Sequence, residues 1–447
     1  MSIFDGKRLT NETFKLDIER MRRGWYSDKY FENINRMLSV LAAEDYRYAG
    51  RRPNLPDGLS AEDIATGDIE VEMQWFGRRR GRTVVAGVDK ALAMLRHCTG
   101  YFEGDRFVDT SGRLEVWAVE DGCTVHYDGD PANVQPVMRV CGRYRDFALL
   151  ETPTLGSLTR SSRVATNVYS TFLAARGKPV MFFPARFDLH EVQAADGYAY
   201  NIAVQRFNMD HAKEIGPFIS TDAQGDWWGG AGGGTVAHAA IASFLGDTAE
   251  AMLQFARVLP ASIPRIALVD FNNDCVRDSL CVVETLFARY RELTDAGRPE
   301  EAAKYKLYGV RLDTSGNIRD VSVPPLGDPA IDLGVTPRLV FNVRRALDSA
   351  WESWDLPASW REPARAYCRG VKIVVSGGFD PQRISRFEEL GVPVDTYAVG
   401  SYLFNNNGST VTDFTADVVR VKVHGQWMDM AKVGRAPCDN PDLKRVW

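Results

Sequence analysis

VKIVVSGGFDPQRISRFEEL, residues 371–390, is the stretch whose reading decides the fold. A short apolar run ends in small residues and an acid, and a helical pattern over 381–390 follows at once. That order predicts a buried strand feeding a helix. The same unit recurs through the middle of the chain. The runs KPVMFF (178–183), RIALVD (265–270), LYGVRLD (307–313) and VDTYAVGS (394–401) alternate with helical patterns at 160–175, 236–257, 276–293 and 338–353. Strand–helix alternation of this kind predicts a parallel sheet, open or closed into a barrel.

The flanks read differently. Residues 28–43 carry apolar side chains at helical spacing, with Asp28 as an early-turn charge, and 90–97 read as a short helix. LEVWAVE (114–120), TVHY (124–127) and QPVMRV (135–140) then read as antiparallel strands divided by Gly/Asp turns. After residue 410 the strand pattern returns in DFTADVVRVKV, 413–423. The predicted organisation is a mixed α/β domain over 1–150, an α/β barrel domain over 151–405, and a carboxyl-terminal segment, 406–447, that returns to the first domain.

Composition narrows the function classes. The chain has 447 residues, 45% hydrophobic and 25% charged, which excludes disordered and low-complexity proteins. A net charge of -5 without a basic run gives no electrostatic footprint for nucleic acid. Seven cysteines without a CxxC pair predict free thiols in a reducing, cytoplasmic setting. The start, MSIFDGKRLTNETF, has no apolar core of a signal peptide. Residues 227–246 lack charge over about a membrane span, yet six glycines and His238 there argue against a spanning helix.

Four strand ends carry chemistry: Asp270; Arg311 with Asp313; Ser376, Gly377, Gly378 and Asp380; and Gly400 with Ser401. Carboxyl ends of parallel strands build active sites, so these four predict one convergent site. SGGFD before a helix reads as a phosphate cradle, and AVGS (398–401) offers a second set of backbone donors. Each alone also reads as an ordinary turn. GGAGGGTVAHAAIASFLGD (229–247) fits neither a Walker loop nor a dinucleotide fingerprint. It places His238 at a helix start beside phosphates, or else forms a flexible loop with a satisfied histidine. In ARFDLHE (185–191), Arg186 either holds a carboxylate in a bidentate pair or pairs with Asp188. Ser/His/Asp hydrolysis finds no support, because GxSxG is absent.

Taken in order, SDKYF (27–31), PVMRVCGRYRDFALLETPTLGSL (136–158), GGTVAHA (233–239), PRIALVD (264–270), GVRLDTSGN (309–317), KIVVSGGFD (372–380), YAVGS (397–401) and AKVGR (431–435) resemble the nicotinate phosphoribosyltransferase family, in its shorter archaeal-type form. The resemblance implies an irregular α/β barrel of the type II phosphoribosyltransferases, with a mixed α/β domain formed from both terminal segments. It implies transfer of a phosphoribosyl group from 5-phosphoribosyl-1-pyrophosphate (PRPP) to nicotinate in NAD salvage, by a cytoplasmic homodimer or higher homo-oligomer with shared active sites. Mg2+ would neutralise the pyrophosphate, and ATP hydrolysis would be coupled through phosphorylation of His238. Arg311 and Asp313 would act beside His238. Tyr30 would stack on the pyridine ring, and Arg186 and Arg311 would face the carboxylate and phosphates. Asp270 would lie by the pyrophosphate and metal, and Ser376, Gly377, Gly378, Gly400 and Ser401 would hold the 5-phosphate.

The chain departs from the family pattern in carrying one arginine, Arg186, where two adjacent ones are usual. It also has Cys438 alone where some members carry a zinc knuckle, so no zinc is expected. Nicotinamide or quinolinate as the base, and a catalytically degenerate nucleotide-binding scaffold, are the rival readings.

Overall fold

The computed structural model describes residues 3–56 and 59–447. The chain divides into two compact units. One gathers the chain up to Tyr169 with Ala194–Ala212 and Asn405–Trp447; the other comprises Ser170–Gln193 and Lys213–Phe404.

The first unit is built on a six-stranded antiparallel sheet. Its order is Gln426–Asp429, Phe414–Val423, Glu70–Gly77, Pro136–Arg143, Glu115–Ala118 and Lys444–Arg445. Strands from both ends of the sequence therefore share one sheet. Apolar side chains of its inner face, including Trp75, Val116 and Val140, are completely buried, as is Leu95 on the helix Val88–Cys98. The strands expected at 114–120 and 135–140 lie in this sheet as Glu115–Ala118 and Pro136–Arg143, whereas TVHY pairs with Gly81–Val84 in a separate ribbon. The helix expected over 28–43 runs Lys29–Ala43, with Asp28 in the capping position.

The second unit holds the parallel sheet. Its order is Val180–Phe182, Thr396–Val399, Lys372–Val375, Leu307–Leu312 and Arg265–Leu268. Every neighbouring pair is parallel, and Ile219 adds a parallel bridge beside Phe182. The ladder does not close into a complete barrel among the described residues. The strands are mostly apolar because both faces of the sheet are largely covered. Ile266, Val310, Val374 and Tyr397 are each no more than 2% exposed.

The helices that follow the strands start on side-chain caps. Asp274 accepts from the Arg277 N–H before Cys275–Asp295, Thr336 from Leu339 before Pro337–Ser349, and Asp380 from Arg383 before Pro381–Glu389. The helical pattern over 236–257 resolves into two helices, His238–Ser243 and Thr248–Val258. Leu245 and Gly246 between them have φ of 57° and 86°, and Asp247 caps the second. Among the described residues no helix is long and apolar enough to cross a membrane. All seven thiols are free.

Candidate active site

The carboxyl ends of four of the five parallel strands line one cavity of about 430 Å3 within the second unit; Asp270, beyond the end of Arg265–Leu268, is not among its lining residues. Arg186, His238, Arg311, Asp313, Ser376, Gly377, Gly378, Gly400 and Ser401 all line it. Short loops after successive strands bring these residues together, although more than two hundred positions separate the first from the last.

His238 is the first residue of its helix, and its side chain is 46% exposed. Its Nε2 lies 3.1 Å from both carboxylate oxygens of Asp270. Asp313 completes a group in which one ligand atom from each of the three residues lies within 4.8 Å of the others. The Asp270 side chain is 8% exposed, and its burial raises its pKa above the ordinary carboxylate value. The nearby Asp313 carboxylate raises it further, while His238 opposes both. The carboxylates supply hard oxygen donors of the kind Mg2+ takes, and phosphates can complete its shell. His238 suits Mg2+ less well, and here it is engaged with Asp270.

Arg311 projects from Leu307–Leu312 with its side chain 12% exposed. It donates from Nη2 to the Val236 carbonyl at 3.1 Å and from Nη1 to Ser376 Oγ at 3.3 Å, and lies 3.7 Å from Asp313. Its buried Nε has no hydrogen-bond partner among the described residues. Burial lowers its pKa, and the neighbouring charge of Arg186 acts in the same direction. Ser376 in turn donates to Asp313 Oδ1 at 2.7 Å, so arginine, serine and aspartate hold one another in place. Arg186 is exposed, lies with its guanidinium carbon 5.3 Å from the Phe187 ring centroid, and forms no salt bridge with a described residue.

Two glycine loops face this cavity. Gly377 and Gly378 have φ of 88° and 71°, where side chains are strained. A side chain on Gly400 would instead come within 2.6 Å of the Phe187 ring. The N–H groups of Gly377, Gly378, Gly400 and Ser401 donate to no described residue. The helix N-terminus that follows SGGFD is already capped by Asp380, so the loop amides themselves are the open donors.

Tyr30 belongs to the first unit. It is 57% exposed on the helix Lys29–Ala43, and its hydroxyl donates to Asp28 at 3.3 Å. It is thus a surface ring, while its neighbour Phe31 is the buried one. Phe183, Phe187, Ser220 and Phe379 also line the cavity. Sequence reasoning did not find them. Phe379 lies inside SGGFD and Phe187 beside Arg186, but Ser220 sits in a loop with no signal of its own.

Residues 59–162 match the family model described as the quinolinate phosphoribosyl transferase N-terminal domain. No curated protein matches the chain. Among solved structures, nicotinate-nucleotide pyrophosphorylase from Pyrococcus furiosus is similar with a TM-score of 0.62 and 22% identity, over 94% of this chain and 80% of that one. Human nicotinic acid phosphoribosyltransferase is similar at 0.49 and 16% identity, over 90% and 75% of the two chains. NadC from Streptococcus pyogenes is similar at 0.44 and 14%, over 89% and 98%. The Pyrococcus likeness spans nearly the whole chain, and with it the parallel α/β unit and the mixed α/β unit have the fold of the type II phosphoribosyltransferases.

Proposed function

We propose that the chain transfers the phosphoribosyl group of PRPP to nicotinate, releasing pyrophosphate and nicotinate mononucleotide. One observation carries this reading: a single cavity is lined both by His238 and Asp313, with Asp270 hydrogen-bonded to His238, and by backbone N–H groups on two strand-end loops that donate to no described residue. The first suits a pyrophosphate, the second a 5-phosphate. In the transfer, the ring nitrogen bonds to C1 as the bond from C1 to the pyrophosphate oxygen breaks. Positive charge builds on the ribose and passes to the pyridinium, so positioning and electrostatics carry the catalysis.

Asp270 and Asp313 are the residues that would hold Mg2+, which when bound supplies charge neutralisation to the leaving pyrophosphate. Asp313, fixed by Ser376, is also placed to hold ribose hydroxyls. Arg311 is committed to Val236, Ser376 and Asp313. That leaves Arg186, without an ion-pair partner, to take one carboxylate in a bidentate pair. One free guanidinium fits a monocarboxylate better than a dicarboxylate. Tyr30, exposed on its own unit, is read as the ring that stacks on the base across a subunit contact in a homo-oligomer. Asp270 at Nε2 leaves Nδ1 of His238 open, which gives ATP a phosphoryl acceptor and supports coupling.

The amino-terminal match favours quinolinate as a second reading, in which the acceptor carries two carboxylates and loses one as carbon dioxide. Pyrophosphate release from PRPP with nicotinate, nicotinamide and quinolinate, each with and without ATP, decides between them. Release with nicotinate alone supports the proposal; release confined to quinolinate or to nicotinamide replaces it; absence of release with any of the bases removes the enzyme reading.

A further inference from the structure

Arg383 lies outside the cavity, on the first turn of the helix Pro381–Glu389, yet its side chain is tied to the cavity's backbone. Nη1 donates to the Gly377 carbonyl at 2.7 Å, and Nη2 donates to the Val335 carbonyl, also at 2.7 Å. The guanidinium carbon sits 4.1 Å from the Phe379 ring centroid, and the Arg383 N–H is held by Asp380 at 2.8 Å. The head group is therefore fixed by a backbone fork, an aromatic face and its own helix cap.

The consequence follows from peptide geometry. No peptide bond is cis among the described residues. In a trans peptide the C=O and the next N–H point in opposite directions. With the Gly377 carbonyl drawn outward to Arg383, the Gly378 N–H is turned the other way, toward the cavity both glycines line. The N–H groups of Gly377, Gly378 and Phe379 donate to no described residue, so the loop presents consecutive open donors. Glycines at positive φ can flip their peptide planes at little cost, and nothing in the loop's own sequence prevents it.

We infer that Arg383 is a positioning residue for phosphate binding: its two-pronged grip on the Gly377 and Val335 carbonyls locks the SGG peptide planes with their N–H groups facing the bound 5-phosphate. This rests on the phosphoribosyl reading of the cavity and adds to it a residue that touches no substrate. The fork is essential to the role, because a single donor cannot hold both carbonyls.

The test uses the full chain with Arg383→Lys and Arg383→Met. Calorimetry measures ribose 5-phosphate binding, and steady-state kinetics measure KM for PRPP and for the base. Losing a well-aligned charged hydrogen bond at the loop is expected to weaken ribose 5-phosphate binding and raise the PRPP KM by about tenfold in both variants, with the base KM unchanged. Lysine keeps the charge and loses the fork, so wild-type binding in Arg383→Lys overturns the inference in favour of simple charge attraction. Equal rises in both KM values overturn it in favour of general loosening. If Arg383→Met does not fold, Arg383→Lys alone decides by the same criteria. If the wild type itself binds no ribose 5-phosphate, the phosphate reading falls and this inference with it. Wild-type binding together with unaffected variants sinks the inference alone.

Discussion

The imidazole of His238 faces Asp270 squarely, with Nε2 3.1 Å from each carboxylate oxygen. Neither side chain has a second side-chain hydrogen-bond partner among the described residues, so each orients the other. His238→Ala is expected to abolish ATP stimulation of nucleotide formation while leaving some ATP-independent synthesis. Parallel assays of ATP hydrolysis and nucleotide formation check this. Undiminished ATP stimulation in the variant would show that phosphohistidine chemistry is not used.

Asp270→Asn keeps the shape of the side chain and removes its charge. If the carboxylate holds Mg2+, the metal concentration needed for half-maximal activity should rise by about 10- to 100-fold. Titration of activity against Mg2+ at saturating PRPP reads this directly. An unchanged Mg2+ requirement would remove Asp270 from the metal's shell.

Gly377 has φ of 88°, and a β-branched side chain there is strained by about 1–3 kcal/mol. The nearest atoms to a Cβ at that position, chain neighbours aside, are oxygens of Asp313 and Thr314 at 3.5–3.8 Å, ordinary contact distances, so the fold should survive. Gly377→Val is expected to raise the PRPP KM strongly, with near-wild-type circular dichroism. Normal PRPP affinity would count against the cradle.

Tyr30 is mostly exposed, so its removal should cost the chain little stability. Tyr30→Ala is expected to raise the KM for the base by about tenfold, in line with the loss of one aromatic stacking partner. The PRPP KM should move much less. A variant that loses its melting transition and keeps its base affinity would assign Tyr30 to structure.

Glu151 begins the helix Glu151–Ala174, and its pKa is pushed up to about 8, by burial first and then by the charges of Asp417 and Asp28. In the unfolded chain an ordinary glutamate titrates near 4.3, so the native state holds the extra proton between the two values. Stability should therefore fall as pH rises from about 4.3 to about 8, because the unfolded state binds fewer protons there. Glu151→Gln should leave the melting temperature nearly unchanged at about pH 5 and raise it at about pH 9. Melting curves across that range check the sign; equal shifts at both ends would contradict it.

The parallel unit was legible because its strands are buried on both faces, so each reads as an unbroken apolar run with chemistry at its end. Glu70–Gly77 escaped sequence reading although it lies inside the other sheet. Its alternate residues Glu70, Glu72 and Gln74 look like a solvent-facing edge. In the fold Lys422 pairs with Glu70, Arg420 with Glu72, and Gln74 bonds the Ala436 carbonyl, all from the far end of the chain. No local pattern reports partners so distant. The helix Gln193–His211 was missed for a related reason: Tyr198, Tyr200, Ile202 and Val204 are buried on several sides, which erases the polar stripe. The strand-end residues were readable as chemistry, but Arg383 was not, since its role lies in two carbonyls that sequence does not display.

The antiparallel sheet has a kinetic consequence. Glu70–Gly77 is flanked by Pro136–Arg143 on one side and by Phe414–Val423 on the other. The second neighbour emerges from the ribosome only after nearly all of the parallel unit has been made. Until then one edge of a strand carrying Val71, Met73, Trp75 and Phe76 stays open to any extended chain nearby. Pairing must also close a loop of more than three hundred residues, a slow event whenever the intervening segment is still unfolded. Prior folding of the 213–404 segment shortens that search. Productive synthesis should thus follow an order: the inserted unit condenses first, and the sheet it interrupts in sequence is completed last.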